Sequence, residues 1–241
     1  MIHPVPRSHR VTASLPVEVG RRYGLAYSLW LPPAGVALRG GVVLLHGAGS
    51  RKESHYDFAR ALLPLGHAAI AYDARGHGDS DGPMDERAIE DASTIADVLR
   101  EALGDGDAPI GLRGSSMGGF TALMAAPLVR ASAVVAICPA SAEGLARGLR
   151  AGRFPIEADV EALTGLLDEV DLGATVESLQ MPLLLLHADG DEQVPVAHSR
   201  ELAARADRVR LVIVPGGHHR SVQHDEELQA VSLRFLDRHL R

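Results

Sequence analysis

Short apolar runs recur along the chain, each bounded by Gly, Pro or Asp or by charged residues: Gly41–Leu45, His67–Tyr72, Pro109–Leu112, Ala133–Ile137, Pro182–Leu186 and Arg210–Val214. Runs of this length without strict alternation suit strands buried on both faces, as in a parallel sheet. Between them lie segments with helical spacing. In Asp85–Leu103 the apolar positions 88, 89, 92, 95, 96, 99 and 103 form one stripe, and acidic residues fill the first turn. Glu53–Leu63, Met117–Val129, Pro195–Ala206 and Asp225–Leu240 also read as helices, with Pro195 suited to a first turn. Strand alternating with helix predicts a doubly wound α/β fold.

Ahead of this alternation, Val11–Val19 and Tyr23–Leu31 have strand character, and Gly20-Arg21-Arg22 is the expected turn of a hairpin. The sheet is therefore expected to begin antiparallel. The alternation breaks once, between Ser141 and Glu169, in a Gly-, Ala- and Leu-rich stretch that reads as an insertion of weak helical periodicity. No internal repeat or linker interrupts the rest, so residues 1–241 are expected to form one domain with 141–169 inserted in it.

Composition narrows the function more than the fold. At 46% hydrophobic and 23% charged the chain is ordinary for a globular domain. One cysteine, Cys138, excludes an intrachain disulfide and a thiolate cluster. A net charge of −7 without a basic stripe argues against nucleic acid as a partner. The basic residues are 23 arginines and one lysine, Lys52, a skew that reads as compositional. No leader-like apolar segment opens the chain and no run reaches the ~20 residues of a membrane span, so the expectation is a cytoplasmic protein without membrane partners.

The strongest chemical signal is Gly114-Ser115-Ser116-Met117-Gly118-Gly119, a G-x-S-x-G pattern between an apolar strand and an apolar helix. A serine at the tip of a sharp strand-to-helix turn is exposed and strained, with glycines two residues either side for close packing. No G-K-[ST] or G-x-G-x-x-G is present to make this a phosphate loop. A serine nucleophile needs a base, and the base an orienting acid. Downstream, His187-Ala188-Asp189-Gly190-Asp191-Glu192-Gln193-Val194-Pro195 offers three acids, of which Asp191, in D-x-x-V-P, has the favoured position. After the next strand comes Pro215-Gly216-Gly217-His218-His219. The spacing P-G-x-x-H favours His219 as base, and G-G-H leaves His218 as the alternative. A metal reading of His218, His219 and His224 lacks a carboxylate or cysteine to complete the set.

An oxyanion hole needs two backbone N–H groups. Met117, directly after the serine, is one candidate donor. Ala48, in His46-Gly47-Ala48-Gly49-Ser50, is the other, and His46 is expected to bond within that loop. Asp73-Ala74-Arg75-Gly76-His77-Gly78-Asp79-Ser80 is dense in polar groups but reads as a rigid loop braced by Asp–Arg and Asp–backbone bonds.

Together, H-G-A-G, D-x-R-G-H-G-D-S, G-S-S-M-G-G, D-x-x-V-P and P-G-G-H-H resemble the α/β-hydrolase superfamily from about Val11 to the end. The likeness is greatest to compact dienelactone-hydrolase-like and serine-aminopeptidase-like esterases. Ser116 to Asp191 spans 75 residues and Asp191 to His219 spans 28, in that family's order. The chain departs from dienelactone hydrolases in having Ser116 rather than Cys, and it lacks HGGG. The resemblance implies an eight-stranded, mostly parallel sheet flanked by helices, with a short cap at 141–169 after the sixth strand. In that cap Leu145, Leu149, Phe154, Ile156, Leu163 and Leu166 either line an acyl pocket or pack the cap down. It further implies a serine esterase acting on a small acyl substrate through Ser116, His219 and Asp191, with oxyanion donors Ala48 and Met117 and no cofactor or metal. A thioesterase, lactonase, amidase or cofactor-free haloperoxidase would use the same groups. A non-catalytic binding protein on the same fold is the alternative of another class.

Overall fold

In the computed structural model, which describes residues 14–240, the apolar runs pair into one eight-stranded sheet. Its strands are β1 (Glu18–Arg22), β2 (Leu25–Trp30), β3 (Gly40–Leu45), β4 (His67–Tyr72), β5 (Ile110–Ser115), β6 (Ala133–Ile137), β7 (Leu183–Ala188) and β8 (Val209–Val214), in the order β1-β2-β4-β3-β5-β6-β7-β8. β1–β2 and β2–β4 are antiparallel and every other pair is parallel. The absence of alternation has the expected cause. In β7, Leu183 and Leu185 face one core layer while Leu184 and Leu186 face the other, all four fully buried.

Helices cover both faces. α1 (Tyr56–Leu62) and α9 (Glu226–His239) pack on one, and α2 (Ala88–Leu103) and α3 (Met117–Val129) on the other. α3 is apolar all round because it lies between the sheet and further helices, so it has almost no wet side. The inserted stretch forms α4 (Ala142–Arg150) and α5 (Val160–Glu169), followed by α6 (Leu172–Ser178). Each starts on a side-chain cap: Ser141, Asp159 and Asp171 accept from the amides of Gly144, Ala162 and Ala174.

Three local expectations shift. The part of the first expected strand before residue 14 lies outside the described residues. The hairpin turn is Tyr23-Gly24, both at positive φ (49° and 84°), not Gly20–Arg22. Gly20 sits inside β1, where a Cβ would stand 2.6 Å from the Tyr27 hydroxyl, so that glycine answers to packing and not to a turn. β5 runs on past Leu112 because Arg113 is buried. Its guanidinium lies 3.8 Å from the centre of the Phe58 ring and donates to the Gln223 carbonyl at 3.2 Å. The last expected helix is split. α8 (Ser221–His224) ends at Asp225, whose carboxylate caps α9 by accepting from Leu228 N–H.

Strand order decides where chemistry can occur. The chain leaves β3 for β4 on one side and returns to β5 on the other. The crevice at the carboxyl ends of β3 and β5 is therefore the topological switch point of the sheet, where open α/β folds bind ligands. The loop after β3 and the turn after β5 are the two segments that carry Ala48 and Ser116.

Candidate active site

Ser116 links β5 to α3 with φ 55° and ψ −115°, a conformation that costs a non-glycine residue about 1–3 kcal/mol. Its backbone is held on all sides: its N–H donates to Ile137 O at 2.8 Å, and its carbonyl accepts from Phe120 and Ala140 at 3.0 and 3.1 Å. The turn closes only because its flanks lack side chains. A Cβ at Gly114 would lie 2.0 Å from Gly118 O, and one at Gly118 would lie 2.2 Å from Leu45 O. Gly47, in the loop after β3, sits on the serine, since a Cβ there would lie 3.5 Å from Ser116 Cβ.

The two candidate oxyanion donors belong to different segments, the turn after β5 and the loop after β3. Met117 is the first residue of α3, so its N–H is one of the helix's unpaired amino-terminal amides. Ala48 follows Gly47 in a turn closed by Ser50 N–H donating to Gly47 O at 3.1 Å. His46 braces that turn. Its Nδ1–H donates to Gly47 O at 2.8 Å, and its Nε2 accepts the Ala74 amide at 3.0 Å. Burial, with His77 alongside, pulls His46 down to about 4, so the ring is neutral as these bonds require.

The loop at 73–80 carries the expected Asp–Arg and Asp–backbone bonds, and Lys52 joins them. Asp73 pairs with Lys52: Nζ lies 2.7 Å from Asp73 Oδ2, 2.7 Å from Asp79 and 3.2 Å from Glu53. The amides of Lys52 and Asp79 also donate to Asp73, at 2.7 and 2.9 Å. Arg75 forks onto Asp91 at 2.7 and 2.8 Å. The lone lysine is thus buried against Asp73 at the base of this loop.

Of the three acids after β7, Asp191 is the one paired with a histidine of the β8 loop. Its Oδ2 accepts from His219 Nδ1 at 2.7 Å, and its Oδ1 accepts the amides of Gln193 and Val194 at 2.8 and 2.9 Å. Asp189 accepts from Gly216 N–H and holds the next loop, and Glu192 accepts from His219 N–H at 3.4 Å. His219 is buried and His218 exposed. Burial by itself pushes the Asp191 carboxyl up. The bonds from His187, His219 and the two amides outweigh it and hold the carboxyl well below the usual carboxylate range. His187 was not singled out in the sequence, and its side chain lies 3.3 Å from the same carboxylate oxygen.

Cys138 follows β6 directly at φ 42°, fully buried, and burial pushes its thiol up to about 12. Its sulfur and the donor atoms of Asp191 and His219 lie within 4.8 Å of one another, a mixed S/O/N set that could receive a metal ion. No local spacing in the sequence signals this grouping, since Cys138 and Asp191 stand 81 and 28 residues before His219. The short Asp191–His219 bond already uses two of the three donors.

An apolar pocket, partly open to solvent, has Met117, the residue after the serine, in its wall. Leu145, Leu149, Phe154, Ile156, Leu163 and Leu166 line it from α4, α5 and the strap between them. Met84, Met117 and Phe120 close it from the body. The strap is fastened down: Met84 N–H donates to Glu157 O and Asp159 N–H to Met84 O, both at 2.8 Å, while Pro155 meets Gly49 in the loop after β3. Met117 therefore belongs both to the turn at Ser116 and to the pocket wall.

Comparison with known proteins agrees with this architecture. A model of the alpha/beta hydrolase family matches residues 42–174, more than half of the chain. The chain is similar to the monoacylglycerol lipase of Mycolicibacterium smegmatis, with 28% identity covering 84% of this chain and 88% of that one. It is also similar to two uncharacterised bacterial proteins, YqkD of Bacillus subtilis and YfhR of Escherichia coli. Both are 26% identical over 74% of this chain, which spans 64% and 62% of their lengths. Among solved structures, Est1E from Butyrivibrio proteoclasticus bound to ferulic acid superposes with TM-score 0.71, at 22% identity, over 89% of this chain and 95% of that one. The Pyrococcus furiosus esterase Pf2001 gives 0.72, at 24% identity, over 94% and 92%. These structural likenesses establish the fold.

Proposed function

Because the chain belongs to the alpha/beta hydrolase family, we propose that it is a serine esterase that cleaves carboxylic esters carrying an apolar acyl group of short to medium length. The observation that carries this reading is the buried Asp191–His219 pair, 2.7 Å apart, at the sheet end where Ser116 sits in its strained turn beside an apolar pocket. The similar lipase and esterases point the same way.

In this reading the acyl chain enters the pocket lined by Leu145, Leu149 and Phe154, with the ester carbonyl at Ser116. Ser116 Oγ attacks the carbonyl carbon as His219 Nε2 takes its proton. The Asp191 bond to Nδ1–H fixes the tautomer that leaves Nε2 free to accept, and it stabilises the imidazolium. The amides of Met117 and Ala48 receive the oxyanion. His219 then protonates the departing alkoxide, and the acyl group stays on Ser116. Water, deprotonated by the same imidazole, attacks the acyl-enzyme and returns the serine. Each step is served by the chain's own side chains and amides.

The strap between α4 and α5, bonded to Met84 and resting on Gly49, sets Phe154 and Ile156 in the pocket wall and limits the length of acyl chain in this reading. A panel of p-nitrophenyl esters from C2 to C16, with Ser116→Ala as control, tests the reading. We expect kcat/KM to peak at short to medium chains and to vanish in the variant. A maximum at C14–C16 would contradict the substrate class, and turnover surviving in Ser116→Ala would contradict the nucleophile.

A further inference from the structure

The Asp191 carboxylate receives more than a triad acid needs to hold one imidazole, and the surplus comes from a second histidine. His187 lies in β7, fully buried. Its Nε2 is 2.9 Å from Val194 O and 3.3 Å from Asp191 Oδ2. A carbonyl oxygen only accepts, so Nε2 carries the hydrogen, and its N–H is shared between that carbonyl and the carboxylate. In the neutral ring Nδ1 is then an acceptor. The hydroxyl of Ser199, a fully buried residue of α7 (Val196–Ala203), lies 2.7 Å from it and donates. A serine–histidine arm therefore reaches Asp191 Oδ2 from β7 and α7, while His219 reaches the same oxygen from the loop after β8.

We propose that His187, fixed in its Nε2–H tautomer by the Val194 carbonyl and braced at Nδ1 by Ser199, is a positioning residue that locks the Asp191 carboxylate and so aims His219 at Ser116. Asp191 Oδ1 is anchored by two amides. Oδ2 is approached by the two histidines, and His187 is held at its other nitrogen, Nδ1, by the buried Ser199 hydroxyl. Without His187 the carboxylate is free to pivot about Oδ1, and a displacement of about 1 Å at the base costs on the order of 10²-fold in rate. Other titratable groups around the pair are Cys138 directly after β6, Glu192 in the acid's own turn and His198 of α7. The variants below leave all three unchanged. The proposal rests on the triad reading above.

The test compares wild type, His187→Met, His187→Gln and Ser199→Ala. Met fills the space without a donor, and Gln restores an N–H near the position of Nε2. Hydrolysis of p-nitrophenyl butyrate is normalised to sites titrated with a fluorophosphonate, and the fluorophosphonate labelling rate is followed against pH. We expect kcat per titrated site in His187→Met to fall by about 10- to 100-fold with KM within about twofold, since the acyl pocket is untouched. The acid limb of labelling should move to higher pH, because a carboxylate with one donor fewer holds the imidazolium more tightly. Gln should recover most of the loss, and Ser199→Ala, the smaller change, should fall in the same sense and decides the matter if the Met variant does not fold. A residue that only cements the turn would lower stability and leave kcat per site and the acid limb at wild-type values, and that result overturns the proposal. Failure of wild type to label at Ser116 would instead overturn the triad reading itself.

Discussion

Replacing Lys52 with Met removes the counterion of a fully buried carboxylate, Asp73. The Lys52 and Asp73 side chains are 3% and 0% exposed, and Nζ stands 2.7 Å from the carboxylate. Breaking a buried pair at one partner costs about 3–5 kcal/mol, because the remaining charge stays buried without its counterion. Here the amides of Lys52 and Asp79 still donate to Asp73. That places the expected loss at the lower end, about 3 kcal/mol. For a chain of this size each kcal/mol moves Tm by about 2–4 °C, so the variant should melt roughly 6–12 °C lower. Lys52→Arg should not restore it, since a planar fork does not replace a compact ammonium among three carboxylates. The double variant Lys52→Met/Asp73→Asn should recover part of the loss, because it removes the stranded charge. The Asp73 loop also presents the Ala74 amide to His46, next to the Ala48 turn, so kcat should fall with stability. Urea unfolding and differential scanning calorimetry of the three variants provide the measurement. A Lys52→Met protein within about 1 kcal/mol of wild type would refute the reasoning.

Three further outcomes are expected. His46 is buried neutral and held down to about 4, so the unfolded chain binds more protons than the native one between that pH and about 6.5. Stability is therefore present above about pH 6.5 and lost as pH falls, by up to about 3 kcal/mol from this residue at pH 4, with His55 and His77 acting in the same direction. Urea midpoints at pH 4, 5 and 7 read this directly, and a midpoint that does not fall with pH contradicts it. Gly118→Ala should not yield a native protein, since its Cβ would stand 2.2 Å from Leu45 O, and circular dichroism with labelling checks that. Leu149→Trp should fill the apolar pocket and lower kcat/KM for C8 relative to C2 esters by about tenfold, the scale at which such pockets discriminate methylenes.

The contrast between what could be read and what could not follows the range of each interaction. Ser116 was legible because its signature is local: five residues between an apolar strand and an apolar helix impose the turn. Asp191 and His219 were legible as positions in an order, and folding reduced three acids and two histidines to one hydrogen-bonded pair. The helices of the 141–169 stretch were harder, because their apolar faces are short, yet the caps Ser141 and Asp159 mark where they begin. Lys52, Arg113 and His187 were not legible. Each is a polar residue whose burial depends on partners far along the chain, such as Asp73, Gln223 or Ser199. A pattern of apolar positions carries no record of such pairings. The hairpin was misplaced for a related reason: Tyr23 takes a positive φ that its residue type disfavours, while Gly20, the obvious turn former, is required for its missing side chain.

The central claim is that Ser116 is a nucleophile driven by His219 and Asp191. Treating the protein with a fluorophosphonate and locating the adduct by peptide mass spectrometry tests it most directly. We predict one adduct, on Ser116, absent in Ser116→Ala and formed at least about 10²-fold more slowly in His219→Ala and Asp191→Ala. An unlabelled Ser116 in folded protein, or labelling that proceeds at the wild-type rate without His219, would contradict it.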